Sequence, residues 1–376
     1  MLAALLSPET LKACAPYVVT SLLVLTIFVV LPQKLLPKPY PGIPLVGMKE
    51  GPHGKKELKD GVMRYLKDTK ALFREGKSLG KAYQIMTATG FKIVMPPKYL
   101  NEIRDNPNLD FGGFIQHDFF AHLPGFGAFN AGINNTIIQE TLKTKLTGSL
   151  ARITDFMSDE MTVVCRTQLP QVKEWTEIQF HKISLASVAE VSARVFLGED
   201  VCRNPTWLKL SIDYTMDVVL AARALRMWPR FLVPVVHWFL PETRKVRQQV
   251  EVARSIIQPE IDARRKVRAA QEAQGLDTSK KIDSLQWMED TSKERPFNIV
   301  FGQLLLTFAS IHTTSNLLQN VMYDLIANPE YIDLLRQEII EVLKDQSDGW
   351  QKTSLHSLKM MDSVFKESQR LNIYLL

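Results

Sequence analysis

Apolar residues recur every three or four positions along most of this chain, and that spacing predicts amphipathic helices. Four such segments cover residues 140–169, 177–198, 207–225 and 244–275. Residues 83–95 instead carry two short β-favouring runs around a glycine turn, which predicts a hairpin. Because few strands alternate with the helices, we exclude a doubly wound parallel sheet and predict a mainly α fold with a small β portion.

The longest periodic segment runs from Pro296 to Pro329 and predicts a buried helix of about 30 residues. Its centre, ASIHTTS at 309–315, is a polar interruption whose small residues permit the close approach of a ligand. The Thr313 hydroxyl lies one turn after the Ala309 carbonyl, so it can bond that carbonyl or release it and open a groove for water. The alternative interpretation is a Ser/Thr-rich stretch whose hydroxyls are satisfied by the helix backbone.

The last helical pattern, SLKMMDSVFKESQRL, contains Glu367 and Arg370. These two residues are three apart, so they face the same side of the helix. Such a pair is ordinarily an exposed salt bridge. Its position between Phe365 and Leu371 predicts partial burial here.

An uncharged stretch at 13–33 would form a helix of about 31 Å, which matches a hydrocarbon core of about 30 Å. A cleaved signal peptide usually has a shorter apolar region and a small-residue cleavage site, neither of which fits. Lysines are frequent after this stretch and Lys12 alone precedes it, so the positive-inside rule leaves the body in the cytosol. We therefore expect a tail at 1–12, a transmembrane anchor at 13–33, a proline-rich hinge at 34–48 and a body at 49–376.

Composition, charge and the spacing of cysteines and histidines exclude some classes of function. Hydrophobic residues make up 45% of the 376 residues, which is enough to bury a core, and the net charge is +6. No aromatic residues alternate with the basic ones, so we exclude nucleic acid as a partner. Cys14, Cys165 and Cys202 have no metal-like spacing, and the histidines show no HExxH pattern.

Taken in order, the anchor, hinge, hairpin, helical body, central helix and Glu-x-x-Arg pair resemble a microsomal cytochrome P450, a haem-thiolate monooxygenase. The family motif Ala/Gly-Gly-x-Asp/Glu-Thr-Thr/Ser matches residues 309–314, with Ser310 in place of glycine and His312 in place of the acid. The segments SARVFLGEDVCRNPTWL, FASIHTTS and KESQRLN resemble the filamentous-fungal branch that oxidises terpenoids and related secondary metabolites. The resemblance spans residues 13–372.

The resemblance implies haem as cofactor, NADPH-cytochrome reductase as partner, membrane lipid around the anchor and a lipophilic small-molecule substrate. It places the chain in the endoplasmic reticulum membrane, single-pass, with its body facing the cytosol. The apolar and aromatic stretch at 111–126 fits a bulky lipophilic ligand.

The resemblance also assigns roles to residues. Thr313 would help deliver protons to dioxygen, and His312 could pass protons because histidine titrates near neutrality. Ala309, Ser310 and Thr314 would lie on the cofactor side of the helix. Lys143 or Lys145 would meet a haem propionate, and the pair Glu367 and Arg370 would lock an arginine in a later loop.

In this family a cysteine thiolate after Glu-x-x-Arg, in Phe-x-x-Gly-x-x-x-Cys-x-Gly, binds the iron and favours O–O cleavage. Here six residues follow Arg370 and the last cysteine is Cys202, so the axial cysteine is absent. We therefore expect an incomplete cytochrome P450 fold behind a single N-terminal transmembrane helix, and a chain that lacks monooxygenase activity as written. A second hypothesis is a haem-free, membrane-tethered remnant that is inert or competes for the reductase.

Overall fold

The computed structural model describes residues 21, 36–49, 51, 53–133, 136–276, 281–293, 295–344 and 350–372. The chain divides into two compact units, Met1–Phe111 with Arg226–Val233, and Gly112–Leu225 with Pro234–Leu376. Apart from Ser21, the predicted anchor at 13–33 lies outside the described residues. None of the helices within the described ranges is long and apolar enough to cross a bilayer.

The first unit is built on a three-stranded sheet in the order β1-β2-β3. Strand β1 (Leu45–Val46) pairs in parallel with β2 (Tyr83–Thr87), and β2 pairs antiparallel with β3 (Gly90–Val94). The predicted hairpin is therefore confirmed. Gly90 has a φ of 106° at the turn, a backbone conformation that favours glycine.

Three helices accompany this sheet: α1 (Lys55–Lys67), α2 (Thr69–Ser78) and α3 (Leu100–Arg104). Asp68 caps α2 because its carboxylate accepts a hydrogen bond of 2.9 Å from the Ala71 backbone N–H. Leu72 of α2 is buried against Val46, Tyr83 and Ile85, and these four side chains form one hydrophobic cluster of the unit. Leu58, Met86 and Phe91 form another.

The second unit holds most of the helices. They are α4 (Phe111–Asp118, whose first residue belongs to the first unit), α5 (Gly127–Ile133), α6 (Ile137–Glu140), a π-helical segment (Thr141–Leu146), α7 (Leu150–Gln168), α8 (Phe180–Leu197), α9 (Pro205–Arg226, whose last residue belongs to the first unit), α10 (Val233–Val236, likewise shared), α11 (Pro241–Ala273), α12 (Ser284–Ser292), α13 (Ile299–Ala327), α14 (Glu330–Lys344), α15 (Lys352–Ser357) and α16 (Lys359–Leu371). The mainly α prediction is confirmed.

Helix α13 is the central helix predicted from the sequence, and it is 29 residues long. The side chain of Asn298 caps it by accepting a hydrogen bond from the Phe301 backbone N–H. Helices α5, α8, α11, α12 and α16 pack against it. Its first half is buried, Leu304 completely, whereas Tyr323 and Ile326 near its end are exposed. The prediction of a buried helix therefore holds for the first half only.

The pattern at 140–169 does not fold as one uniform helix. The chain forms α6, then the π-helical segment, then α7. Two hydroxyls compete with the α-helical hydrogen bonds here, because Thr144 Oγ1 donates to Glu140 O at 2.7 Å and Thr147 Oγ1 donates to Leu142 O at 2.9 Å. The segment is helical as predicted, but the apolar spacing did not indicate the π-helical turn, because it does not register such local competition.

A buried ion pair fixes α11 against α12. Arg264 of α11 is 7% exposed, and its Nη1 donates to Oδ1 of Asp283 at 2.8 Å. Asp283 is 1% exposed and also caps α12 by accepting from the Gln286 backbone N–H. Arg264 Nη2 donates in addition to Leu197 O, the last residue of α8. One guanidinium of α11 therefore holds the end of α8 and the start of α12.

A second buried cluster lies between α7 and α8. Glu160 accepts two hydrogen bonds of 2.8 Å from the Arg203 guanidinium. Glu190 is buried beside it and shares a hydrogen bond with the Glu160 carboxyl. Burial and the neighbouring Glu160 charge raise the pKa of Glu190, because both disfavour its ionised form.

This arrangement predicts a pH-dependent stability. Between the unfolded pKa of about 4 and the raised folded pKa, folded Glu190 keeps a proton that the unfolded chain has lost, so the free energy of unfolding falls as pH rises. Glu190→Gln keeps a neutral hydrogen-bond donor towards Glu160 and removes the contribution of Glu190 to this pH dependence. We expect the variant to be more stable than the parent at pH 7–8 and equally stable near pH 4, as measured by urea midpoints.

Glu174→Gln is the matched control, since Glu174 is exposed in the loop between α7 and α8. Its urea midpoints should follow those of the parent at every pH. Parallel profiles for Glu190→Gln and the parent would contradict the shared-proton arrangement.

Candidate functional site

The predicted site residues Ala309, Ser310, His312, Thr313 and Thr314 share one stretch of α13. Ala309, Thr313 and Thr314 are exposed in a helix whose preceding turns are buried. Thr313 Oγ1 donates to Ala309 O at 2.7 Å and lies 3.2 Å from Ser310 O. Of the two arrangements that the sequence left open, the structure shows the hydroxyl bonded to its own helix backbone.

His312 lies on the same turn and contacts another helix. Its Nε2 is 2.9 Å from the carbonyl oxygen of Ile212 on α9. A carbonyl accepts and cannot donate, so Nε2 carries the proton in this contact. The motif predicted His312 as a site residue, but nothing in it indicated Ile212 as its partner.

Three phenylalanines pack on one another, and one of them immediately precedes Ala309 in the chain. Phe308 of α13 meets Phe129 of α5 edge to face, with ring centroids 5.0 Å apart, and meets Phe119 at 5.8 Å. Phe119 and Phe129 stack at 4.6 Å. This aromatic cluster presents an apolar surface one residue before the exposed small residue of α13. Phe119 belongs to the stretch predicted to fit a lipophilic ligand.

Helix α5 approaches α13 closely because glycines lie at the contact. A Cβ atom on Gly127 would lie 2.5 Å from Cε2 of Phe301, and one on Gly132 would lie 2.5 Å from Cδ2 of Leu305. Both glycines were missed by the sequence reasoning. The signal available for them was the pair of small residues five apart in GAFNAGI.

The remaining predicted residues lie on other elements. Lys143 and Lys145 are exposed on the π-helical segment. Arg370 Nε donates to Glu367 Oε2 at 2.7 Å on α16, which confirms the pairing. The predicted partial burial is wrong, because the side chains are 67% and 54% exposed. Helix α16 instead buries Ser368 on its opposite side.

The described cysteines do not fit the thiolate ligand of a haem iron. Cys202 is buried, its Sγ donates to Glu199 O at 3.4 Å, and burial raises its pKa to about 11, whereas an iron ligand is a thiolate. Cys165 lies on α7 and lines a cavity of about 520 Å³ with Trp350 and Leu355, away from α13. Cys14 is outside the described residues. The exposed turn of α13 could face a cofactor, but its sulfur ligand is not among the residues described.

No group of three or more His, Cys, Asp or Glu side chains capable of holding a metal ion occurs in the described part of the chain. Of the buried acidic residues described above, Glu160 and Asp283 are paired with arginines, and Glu190 shares a hydrogen bond with Glu160.

A family model for cytochrome P450 matches residues 85–374. The cytochrome P450 monooxygenase adrA of Penicillium rubens is 39% identical over 328 residues, which cover 85% of this chain and 64% of that protein. The cytochrome P450 monooxygenase hepE of Aspergillus oryzae is 42% identical over 313 residues, which cover 82% of this chain and 57% of that protein.

A third similar protein is the cytochrome P450 monooxygenase ptmU of Penicillium ochrochloron, 36% identical over 337 residues, which cover 89% of this chain and 66% of that protein. The chain therefore spans roughly three fifths of the length of these curated relatives.

The close contact of α5 with α13 predicts a stability effect. In Gly127→Ala the new methyl group would overlap the Phe301 ring, so we expect the free energy of unfolding to fall by about 1–3 kcal/mol in a urea titration. Gly148→Ala is the control, because Gly148 is helical with nothing within 4 Å of its Cβ position. The control should gain up to about 1 kcal/mol from helix propensity. An unchanged stability of Gly127→Ala would contradict the close approach.

Proposed function

The chain belongs to the cytochrome P450 family, and we propose that it forms the larger part of a monooxygenase of fungal secondary metabolism that acts on a lipophilic small molecule such as a terpenoid. One observation carries this proposal: the exposed turn of α13 that holds Thr313 follows directly on the aromatic cluster around Phe308. An apolar wall beside a few convergent polar groups suits a lipophilic substrate. The relatives named above support the class of reaction.

Thr313 and His312 are the residues we propose for handling protons. Thr313 Oγ1 donates to Ala309 O, so it can accept a hydrogen bond without leaving its place in the helix. His312 has Nε2 engaged with Ile212 O, which leaves Nδ1 as the atom for any proton transfer. Ala309, Ser310 and Thr314 are proposed to border the cofactor.

Haem is the cofactor of the family. Because Cys165 and Cys202 do not supply a thiolate and Cys14 lies in the proposed anchor, we propose that this chain alone does not perform the oxygenation and that ligation of the iron requires a cysteine outside its 376 residues. Lys143 and Lys145 are exposed, as a contact with a propionate would require, and Glu367 and Arg370 are proposed to order a further segment of the fold.

The cellular setting is also proposed. An anchor at 13–33 would hold the protein in the endoplasmic reticulum membrane, in contact with lipid, with the body facing the cytosol. There it would receive electrons from NADPH-cytochrome reductase. The excess of lysines after residue 33 supports this orientation.

Difference spectra of reduced, CO-treated microsomes test the proposal. We expect the chain alone to show no thiolate-type Soret band. A chimera that appends the Phe-x-x-Gly-x-x-x-Cys-x-Gly region of a relative should show one, because the exposed face of α13 would then meet a ligated haem.

Two different outcomes would contradict the proposed function. A thiolate-type band from the chain alone would refute its proposed inactivity. A folded chimera that binds no haem would contradict the monooxygenase proposal and favour the second hypothesis, a membrane-tethered remnant that competes for the reductase.

A further inference from the structure

We infer that His312 is a positioning residue whose Nε2–H ties α9 to the turn of α13 that carries Thr313. The hydrogen bond to Ile212 O is 2.9 Å long and joins residues 100 positions apart. The contact is partly buried, so competition from water is reduced. This role is additional to the proton transfer proposed above for His312. Only an effect of this contact on a substrate would rest on the proposed function.

Helix α9 continues from this tether to a third element. Tyr214, two residues after Ile212, is completely buried, and its hydroxyl lies 3.4 Å from Gly125 O. Burial raises the pKa of Tyr214, so the phenol stays a neutral donor towards that carbonyl. Gly125 precedes α5, whose Gly127 lies against Phe301 of α13. These contacts therefore connect α13 to α9, α9 to the residue before the start of α5, and α5 back to α13.

The contact with the Ile212 carbonyl requires a hydrogen-bond donor at position 312. An ionised carboxylate, the group that the family motif has there, can only accept and would face the Ile212 carbonyl unfavourably. The imidazole replaces it with an N–H at the required atom. The departure from the motif is thus matched by a carbonyl on the neighbouring helix. The order of α9 depends on that match.

Two other roles predict different behaviour. If the ring only filled space, a leucine would replace it. If the ring served only as an acid or base, a glutamate would perform that role in its place and a glutamine would not. The tether predicts the reverse order, because a glutamine can donate from its amide and an ionised glutamate cannot.

Hydrogen–deuterium exchange of the full chain in detergent separates these roles without haem or turnover. The variants are His312→Gln, His312→Glu and His312→Leu, and the readout is the exchange rate of peptides within residues 207–225. We expect the glutamine variant to stay within about twofold of the parent. The other two should exchange about threefold to tenfold faster, the effect of one lost hydrogen bond.

His181→Leu is the matched control, since His181 Nδ1 lies 3.0 Å from Gln319 Oε1 and joins α8 to α13. Its exchange at 207–225 should equal that of the parent, and peptides of α12 report any general loss of structure. Protection by glutamate equal to the parent, or none by glutamine, would overturn the inference. The CO spectra judge the proposed function separately.

Discussion

A helix as apolar as α13 is stable in water only where other helices cover it, and much of the second unit follows from that requirement. Helices α5, α8, α11, α12 and α16 pack on it, and its buried first half contains side chains such as Leu304 and Leu306 that are almost inaccessible to water. Each square ångström of apolar surface removed from water contributes about 25 cal/mol. The site therefore begins at Ala309, the first exposed residue of this helix.

Apolar packing buries α13 but does not determine how the helix is rotated about its own axis. Hydrogen bonds of buried polar side chains determine that rotation. Gln303, in the buried half, donates from Nε2 to Ser284 Oγ at 2.7 Å, and Ser284 Oγ donates to Phe196 O at 2.9 Å. Turning α13 about its axis would leave these groups unpaired inside the protein, which is costly. The direction of Thr313 is thus set ten residues upstream.

Local patterns in the sequence predicted the hairpin, the limits of α13 and the pairing of Glu367 with Arg370, because each depends on spacing along a few turns. The partner of His312, the glycine contacts of α5 and the Glu160–Glu190 pair could not be predicted, because each joins segments distant in the chain. The exposure of Arg370 was missed for a related reason. Burial depends on which elements pack nearby, and a sequence pattern shows only the element's own polarity.

The π-helical segment at 141–146 makes the fold tolerant of a change in chain length at one place. A wide turn accommodates one residue more than an α turn. Loss of a single residue there would restore ordinary winding and leave the same face of α7 buried. The same loss at the start of α7 would instead rotate the rest of that helix by about 100°, and Ile153 and Val164, both buried, would leave the core. The segment therefore tolerates the loss of one residue better than the helix that follows it.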